Sequence, residues 1–198
     1  MKGFNETSLE VIAKHEAGHF LMNWLLEREP GGIAIMENVG GVTIDDSPEP
    51  EYLHQVLLKA LAGMAVEEDS VILDQLLESC DKPELFDKHT DSYWASKTLV
   101  DLARQWKVDP QELLGVFVNV CDDTRHEFGQ VIPPLVETLM EQLRIDKASC
   151  ITLYRQWDQV FNMDSRPPKS DIVGRKIAKF MGWNVPDGKA MNWNFLSR

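Results

Sequence analysis

The chain has 198 residues, with 32 acidic and 20 basic side chains and a formal net charge of −12 at pH 7. This length predicts one main domain with a shorter appended segment. The acidic charge argues against nucleic acid or an anionic membrane as a partner, because both are bound by basic patches.

Other features of composition indicate the compartment. No apolar run near the amino terminus approaches the roughly 20 residues of a membrane span, and the first residues do not have the pattern of a signal peptide. Cys80, Cys121 and Cys150 are odd in number and form no C-x-x-C pair, which predicts buried reduced thiols. We therefore expect a cytoplasmic protein. The P-loop pattern G-x-x-x-x-G-K-[ST] does not occur in this sequence, so we do not expect this polypeptide to hydrolyse ATP unaided.

The first predicted helix contains the pattern H-E-x-x-H at His15, Glu16 and His19. Residues four apart in a helix share one face, so the two histidines can present nitrogens to one metal ion, with Glu16 beside them. Gly18 within this helix predicts the close approach of another backbone. A catalytic zinc ion takes three protein ligands and leaves a fourth position for water. The pattern thus predicts a zinc site whose third ligand comes from elsewhere in the chain.

Two short strands follow the first helix. Residues 29–32 predict its end, and residues 33–36 and 41–44 form a predicted hairpin. A hairpin is unstable alone, so it must pack on the metal helix. An open edge of this hairpin could bind an extended peptide as a further strand, although a purely structural hairpin fits the sequence equally well.

The rest of the chain is predicted to be helical. Apolar periodicity and prolines place helices at about 50–68, 71–77, 91–106, 110–128, 133–143, 148–157 and 171–181, with a loop at 80–90 and a linker at 166–169. Asp91 falls in the first turn of its helix, where a carboxylate is favoured, and Asp146 is a candidate cap. The fold class is therefore mainly α, formally α+β, with one small hairpin beside the zinc helix.

The residues themselves leave the third ligand open. The metzincin pattern is excluded, because its glycine and last histidine positions hold Met22 and Leu25. A glutamate of the following helix, Glu67 or Glu68, is one alternative. An aspartate beyond that helix is the other.

Four segments, residues 13–19, 40–43, 61–68 and 90–96, occur in the order found in one family. They resemble the zinc helix, the substrate-side strand, the Gly-Gly-Arg-x-Ala-Glu-Glu segment and the Asn-Asp-Leu-x-x-Ala-Thr segment of the protease domain of FtsH-family ATP-dependent zinc metalloproteases. Met64 stands where that family usually has arginine, and Ser92 replaces an apolar residue. The membrane anchor and ATPase module that accompany this domain in the family have no counterpart in the sequence.

The resemblance implies a complete site. It implies Zn²⁺ bound by His15, His19 and Asp91. Glu67, Glu68 and His89 stay open as alternatives for the third ligand. Glu16 would be the catalytic base, and the substrate would be bound by Gly41, Val42 and Thr43. If Asp91 is the ligand, Glu67 and Glu68 are expected to hydrogen-bond a ligand histidine or to lie on a solvated helix face.

The resemblance covers about residues 9–157. It implies a zinc metallopeptidase domain at 1–160 and does not account for residues 161–198. Aromatic side chains in this carboxy-terminal extension predict that it packs on the domain. The expected function is hydrolysis of peptide bonds in unstructured peptides or unfolded proteins by a zinc metalloendopeptidase, with a separate ATPase partner or a homo-oligomer as open arrangements. The alternative is a non-proteolytic metal-binding interaction module or adaptor derived from the same fold.

Overall fold

The computed structural model of the chain describes residues 9–36, 39–67 and 71–185, with only the backbone for 71–73. This part is mainly helical with one small antiparallel sheet, which confirms the predicted fold class. The helices are α1 (Leu9–Leu25), α2 (Leu53–Val66), α3 (Val71–Ser79), α4 (Asp91–Trp106), α5 (Pro110–Phe128), α6 (Ile132–Gln142), α7 (Lys147–Val160) and α8 (Lys169–Phe180). The strands are β1 (Pro30–Met36), β2 (Gly40–Asp45) and β3 (Arg144–Asp146). Short 3₁₀ helices lie at Pro83–Leu85, Gly129–Val131 and Met163–Ser165.

Helix α1 is the centre of the fold. It contacts α2, α6, α8 and the sheet, and its side chains from Phe20 to Leu25 are all buried. These neighbouring elements enclose the helix on several sides. A helix that is apolar on most of its surface belongs in such an interior position. Phe20 and Trp24 pack edge-on against Trp157, which ties α7 to the same core.

The sheet has the strand order β2-β1-β3, and both pairs are antiparallel. The predicted hairpin is present as β1 and β2, but β1 begins at Pro30, within the segment predicted to end the first helix, and its register shifts between Pro30 and Gly32. A third strand, β3, which was not predicted, extends this hairpin by pairing with β1. Three residues are too few to show the alternation that identifies a strand. Strand β2 consequently lies at one edge of the sheet.

Caps explain why several predicted helices begin where the structure has them. Thr90 accepts a hydrogen bond from the backbone of Tyr93 at the start of α4, and Asp109 caps α5 ahead of Pro110. Asp146 accepts from the backbone N–H of Ser149 and caps α7, as predicted. A cap oxygen satisfies amides that the first turn leaves unpaired, so it fixes the helix start. The start of α4 determines the position of Asp91.

A partly buried ion network fixes the hairpin next to α2. Arg28 Nε donates to Asp45 Oδ2 over 2.8 Å, and Lys59 Nζ lies 3.0 Å from the same oxygen and 2.7 Å from Glu51 Oε1. Burial by itself would raise the pKa of Asp45, but hydrogen bonds from Ser47, Arg28 and Lys59 outweigh it and hold that pKa well below its usual range. The network thus joins the end of β2 to α2, the two elements that flank the candidate site.

The carboxy-terminal region packs on the helices before it. Helix α8 contacts α5 and α1, and Val173 and Ile177 are fully buried there. Residues 186–198 of the predicted extension lie outside the described residues.

Cys80, Cys121 and Cys150 are buried and unpaired, as predicted. Within the part of the chain that the structure describes, none of the helices combines the length and apolar character needed to cross a membrane.

Candidate metal centre

Two glycines bring α1 and α2 close together. A Cβ at Gly18 would overlap the carbonyl oxygen of Ala62, so the backbones approach closely there, as the sequence predicts. A Cβ at Gly63 would lie 2.7 Å from His15 Nε2 and 2.8 Å from His19 Cε1. Real Cβ atoms do not approach other atoms so closely, because the overlap is repulsive. Gly63 therefore provides the space in which the two imidazoles lie.

The two histidines of α1 meet Asp91, the first residue of α4. His15 Nε2 lies 2.8 Å from Asp91 Oδ2, His19 Nε2 lies 3.1 Å from the same oxygen, and the two Nε2 atoms are 2.9 Å apart. Donors bound at about 2.0–2.1 Å in a zinc tetrahedron lie about 3.3 Å from one another. Among the described residues, these three form the one group of histidine, cysteine or acidic side chains close enough to share a metal ion.

Hydrogen bonds at the opposite ring nitrogens orient both imidazoles. His19 Nδ1 lies 2.7 Å from the Lys59 carbonyl oxygen, which can only accept, so Nδ1 carries the proton and Nε2 presents a lone pair. His15 Nδ1 likewise donates to Glu67 Oε1 over 2.5 Å. Such contacts typically orient metal-binding histidines. Glu67 therefore contacts a candidate ligand, while Glu68 lies outside the described residues.

The donor set fits a divalent cation. Two imidazole lone pairs and a carboxylate oxygen meet at about 3 Å, and they repel one another unless a positive charge lies between them. Burial would lower the pKa of His15, but hydrogen bonds with Asp91 and Glu67 outweigh it and raise this pKa to about 10, so a proton supplies the positive charge at neutral pH unless a metal ion displaces it. Burial would raise the pKa of Asp91, whereas its hydrogen bonds with both histidines lower it. Two nitrogens and one oxygen are a ligand set that suits zinc.

Strand β2 lies directly against Glu16. This side chain is 4% exposed, and Thr43 Oγ1 lies 2.7 Å from its Oε2 as a hydrogen-bond donor. A Cβ at Gly41 would lie 2.6 Å from Glu16 Oε1, so only glycine allows the strand to approach this closely. Gly41 and Thr43, predicted as substrate-binding residues, are thus found to touch the predicted catalytic base.

A cleft of about 310 Å³ opens beside the metal ligands, between α1, β2, α2 and α4. Its walls include His19, Asp91, Glu16 and all three predicted substrate-binding residues, Gly41, Val42 and Thr43. His89, an alternative ligand, lines the cleft but does not belong to the group of three. Two of the three predicted metal ligands, the predicted base and the predicted substrate strand therefore line one cavity.

Six further residues that line the cleft were not predicted as site residues: Asn23, Glu51, Val56, Lys59, Ala60 and Trp94. Asn23 follows His19 by four residues and thus continues the face of α1 defined by His15 and His19, which is a signal the sequence contains. Lys59 orients His19 through its backbone, so its residue type gives no signal.

Comparisons of the chain with protein-family models, curated proteins and solved structures found no match.

Proposed function

We propose that this protein is a zinc-dependent metalloendopeptidase that hydrolyses peptide bonds in unstructured peptides or unfolded protein segments. One observation supports this most strongly. His15, His19 and Asp91 converge beside Glu16 in an open cleft that is bordered by an edge strand. The resemblance of four segments to the FtsH-family protease domain supports the same assignment.

Each side chain has a defined role in this proposal. His15, His19 and Asp91 would hold zinc and leave one position open. When bound, zinc supplies an acidified water and polarises the scissile carbonyl. Glu16 takes a proton from the attacking water and delivers it to the leaving amine. Thr43 donates its hydroxyl hydrogen to Glu16 Oε2 and so orients the base.

The substrate backbone would pair with β2. In the described sheet this strand pairs with β1 alone, so its outer side is available to an extended peptide. Val42 lies in the cleft wall on this strand, and Trp94 of α4 lies in the wall as well and is 46% exposed. Pairing of this kind requires an extended substrate, which is why we propose unstructured peptides as the substrate class.

One observation favours a second candidate, a non-proteolytic metal-binding interaction module. Glu16 is almost completely buried and bonded to Thr43, so its carboxylate could serve to fix the hairpin on α1 instead of moving protons. A module of this kind would bind zinc and an extended peptide without cleaving it. The two candidates differ in what Glu16 does.

The test compares three zinc-treated proteins on a diverse library of unstructured fluorogenic peptides. The unmodified protein should cleave library members and hold one zinc ion. Glu16→Gln keeps the size of the side chain and should keep zinc, but hydrolysis should fall by at least about a hundredfold because the base is lost. Asp91→Ala should lose both zinc and hydrolysis, since a ligand is removed.

Two outcomes would contradict the proposal. If the zinc-loaded unmodified protein cleaves no peptide, the interaction module replaces the peptidase. If Glu16→Gln cleaves as fast as the unmodified protein, Glu16 is not the base.

A further inference from the structure

The side chain of Asn23 has an unusual environment. Asn23 is 1% exposed, and its Oδ1 has no hydrogen-bond partner among the described residues. Buried carbonyl oxygens are nearly always paired, because loss of hydration without a replacement bond is costly. Where such a residue also lines a cleft large enough for a ligand, its acceptor indicates a place where the ligand can donate a hydrogen bond.

Asn23 lies next to the metal centre. It follows His19 by one helical turn on the same face of α1, which corresponds to a distance of about 5–6 Å. It also lines the same cleft as His19, Thr43 and Asp91. A side chain of a peptide bound at the metal spans a distance of this size.

The surrounding walls restrict what can bind there. Helix α2 contributes the apolar side chains of Val56 and Ala60 to the cleft. The Lys59 ammonium in the same wall is paired with Asp45 and Glu51, so these three charges already have partners. A charged substrate side chain would find no unpaired opposite charge among them, whereas a neutral side chain with an N–H or O–H at its tip would match the Asn23 acceptor.

We propose that Asn23 is the base of a side-chain subsite that selects peptides with an amide or hydroxyl side chain next to the scissile bond. The subsite rests on the proposed peptidase function, because it takes the metal as the position of that bond. Asn23 Oδ1 accepts a hydrogen bond from the tip of the substrate side chain. Val56 and Ala60 contact its apolar stem.

The test uses pairs of peptides that differ only in the donor: Thr and Val, Asn and Leu, or Tyr and Phe, placed on either side of the cleaved bond. The unmodified protein should favour the donor member by at least about tenfold in kcat/KM, because a site built to hydrogen-bond a substrate rejects an analogue without the donor. Asn23→Leu keeps the branching and the number of heavy atoms of the side chain but has no acceptor, so the preference should disappear.

Thr124→Val is the matched control. Thr124 is as buried as Asn23 and its Oγ1 also has no partner among the described residues, but it does not line the metal cleft. Its substitution should leave the ratio within each peptide pair unchanged. Asn23→Leu should also leave the melting temperature unchanged or higher, because an unpaired buried polar group is removed. A large loss of thermal stability would show that the amide is structural and would overturn the proposal.

Binding of the same pairs to zinc-loaded Glu16→Gln, measured by calorimetry, separates the subsite from the peptidase proposal. If no peptide is cleaved by the unmodified protein but the donor member binds more tightly, and Asn23→Leu added to Glu16→Gln removes this difference, the subsite stands and the peptidase fails. If peptides are cleaved and bound with equal preference within each pair, the subsite fails and the peptidase stands.

Discussion

At the scale of single residues, a substitution at Thr43 tests whether its hydroxyl group orients Glu16. Thr43→Val keeps the shape of the side chain but removes the hydroxyl that donates to Glu16 Oε2. A hydrogen bond to a charged group contributes about 1.5–3 kcal/mol, so kcat for peptide hydrolysis should fall roughly tenfold or more while KM changes little. Steady-state kinetics on one cleaved peptide measures both constants.

Thr43→Ser is the matched control, because it keeps the hydroxyl and loses only a methyl group. It should recover most of the lost kcat, and both variants should bind zinc as tightly as the unmodified protein. Equal kcat values for Thr43→Val and the unmodified protein would show that Glu16 does not depend on this contact.

The candidate site was predictable where its residues are close in sequence. His15, Glu16 and His19 follow from helix periodicity alone, since their spacing places both histidines on one face. Asp91 lies 72 residues beyond His19 in the sequence, so no periodicity connects them, and its prediction depended on the family resemblance. Asn23 was missed because asparagine is not a typical metal ligand, although it lies on the predicted face of α1. Lys59 was missed because it contacts His19 through its backbone carbonyl oxygen, which the residue type does not reveal.

At the scale of elements, the packing of α1 on α2 depends on Gly63. Gly63→Ala should strengthen α2 as an isolated helix by about 1 kcal/mol, because alanine is the better helix former. In the folded protein the new Cβ would overlap the rings of His15 and His19. We therefore expect zinc affinity to fall at least about tenfold, as measured by competition with a chromogenic chelator.

Gly115→Ala provides the comparison for this substitution. Gly115 lies within α5, and a Cβ there would meet nothing within 4 Å. The same change at this position should leave zinc affinity unchanged and raise thermal stability slightly. Unchanged zinc affinity in Gly63→Ala would mean that the metal does not lie between these two histidines.

The elements themselves were predictable where local signals are strong. Helices α4 and α5 have the predicted bounds because Thr90, Asp109 and Pro110 fix where they start. Strand β3 was missed because it is held by pairing with β1 and not by any pattern of its own. The formation of β3 therefore depends on tertiary contact and not on local propensity.

At the scale of the whole molecule, the burial of His54 predicts that the folded protein loses stability in acid. His54 is 1% exposed, and burial lowers its pKa to about 4. In the unfolded chain the pKa returns to about 6.5, so between these values only the unfolded state binds the proton. The free energy of unfolding should therefore fall as the pH drops from 6.5 to 4, and this group should contribute nothing further below pH 4.

His54→Gln removes this titration. Urea unfolding of the metal-free proteins at pH 7 and pH 4 should show a smaller loss of stability in the variant, by about 2–3 kcal/mol. Other titrating groups are present in both proteins and cancel in the difference. An identical loss in the two proteins would mean that His54 is protonated in the folded state as readily as in the unfolded chain.

The spread of the three donors over α1 and α4 has a consequence for assembly. His15 and His19 come together as soon as α1 forms. Asp91 joins them only when α4 docks, because it lies 72 residues beyond His19 in the sequence. A metal held by all three would act as a cross-link that removes conformational freedom from the unfolded chain, as a disulfide does. Full metal affinity would then require the complete tertiary structure. A chain in which only the first helix has formed would bind the ion more weakly.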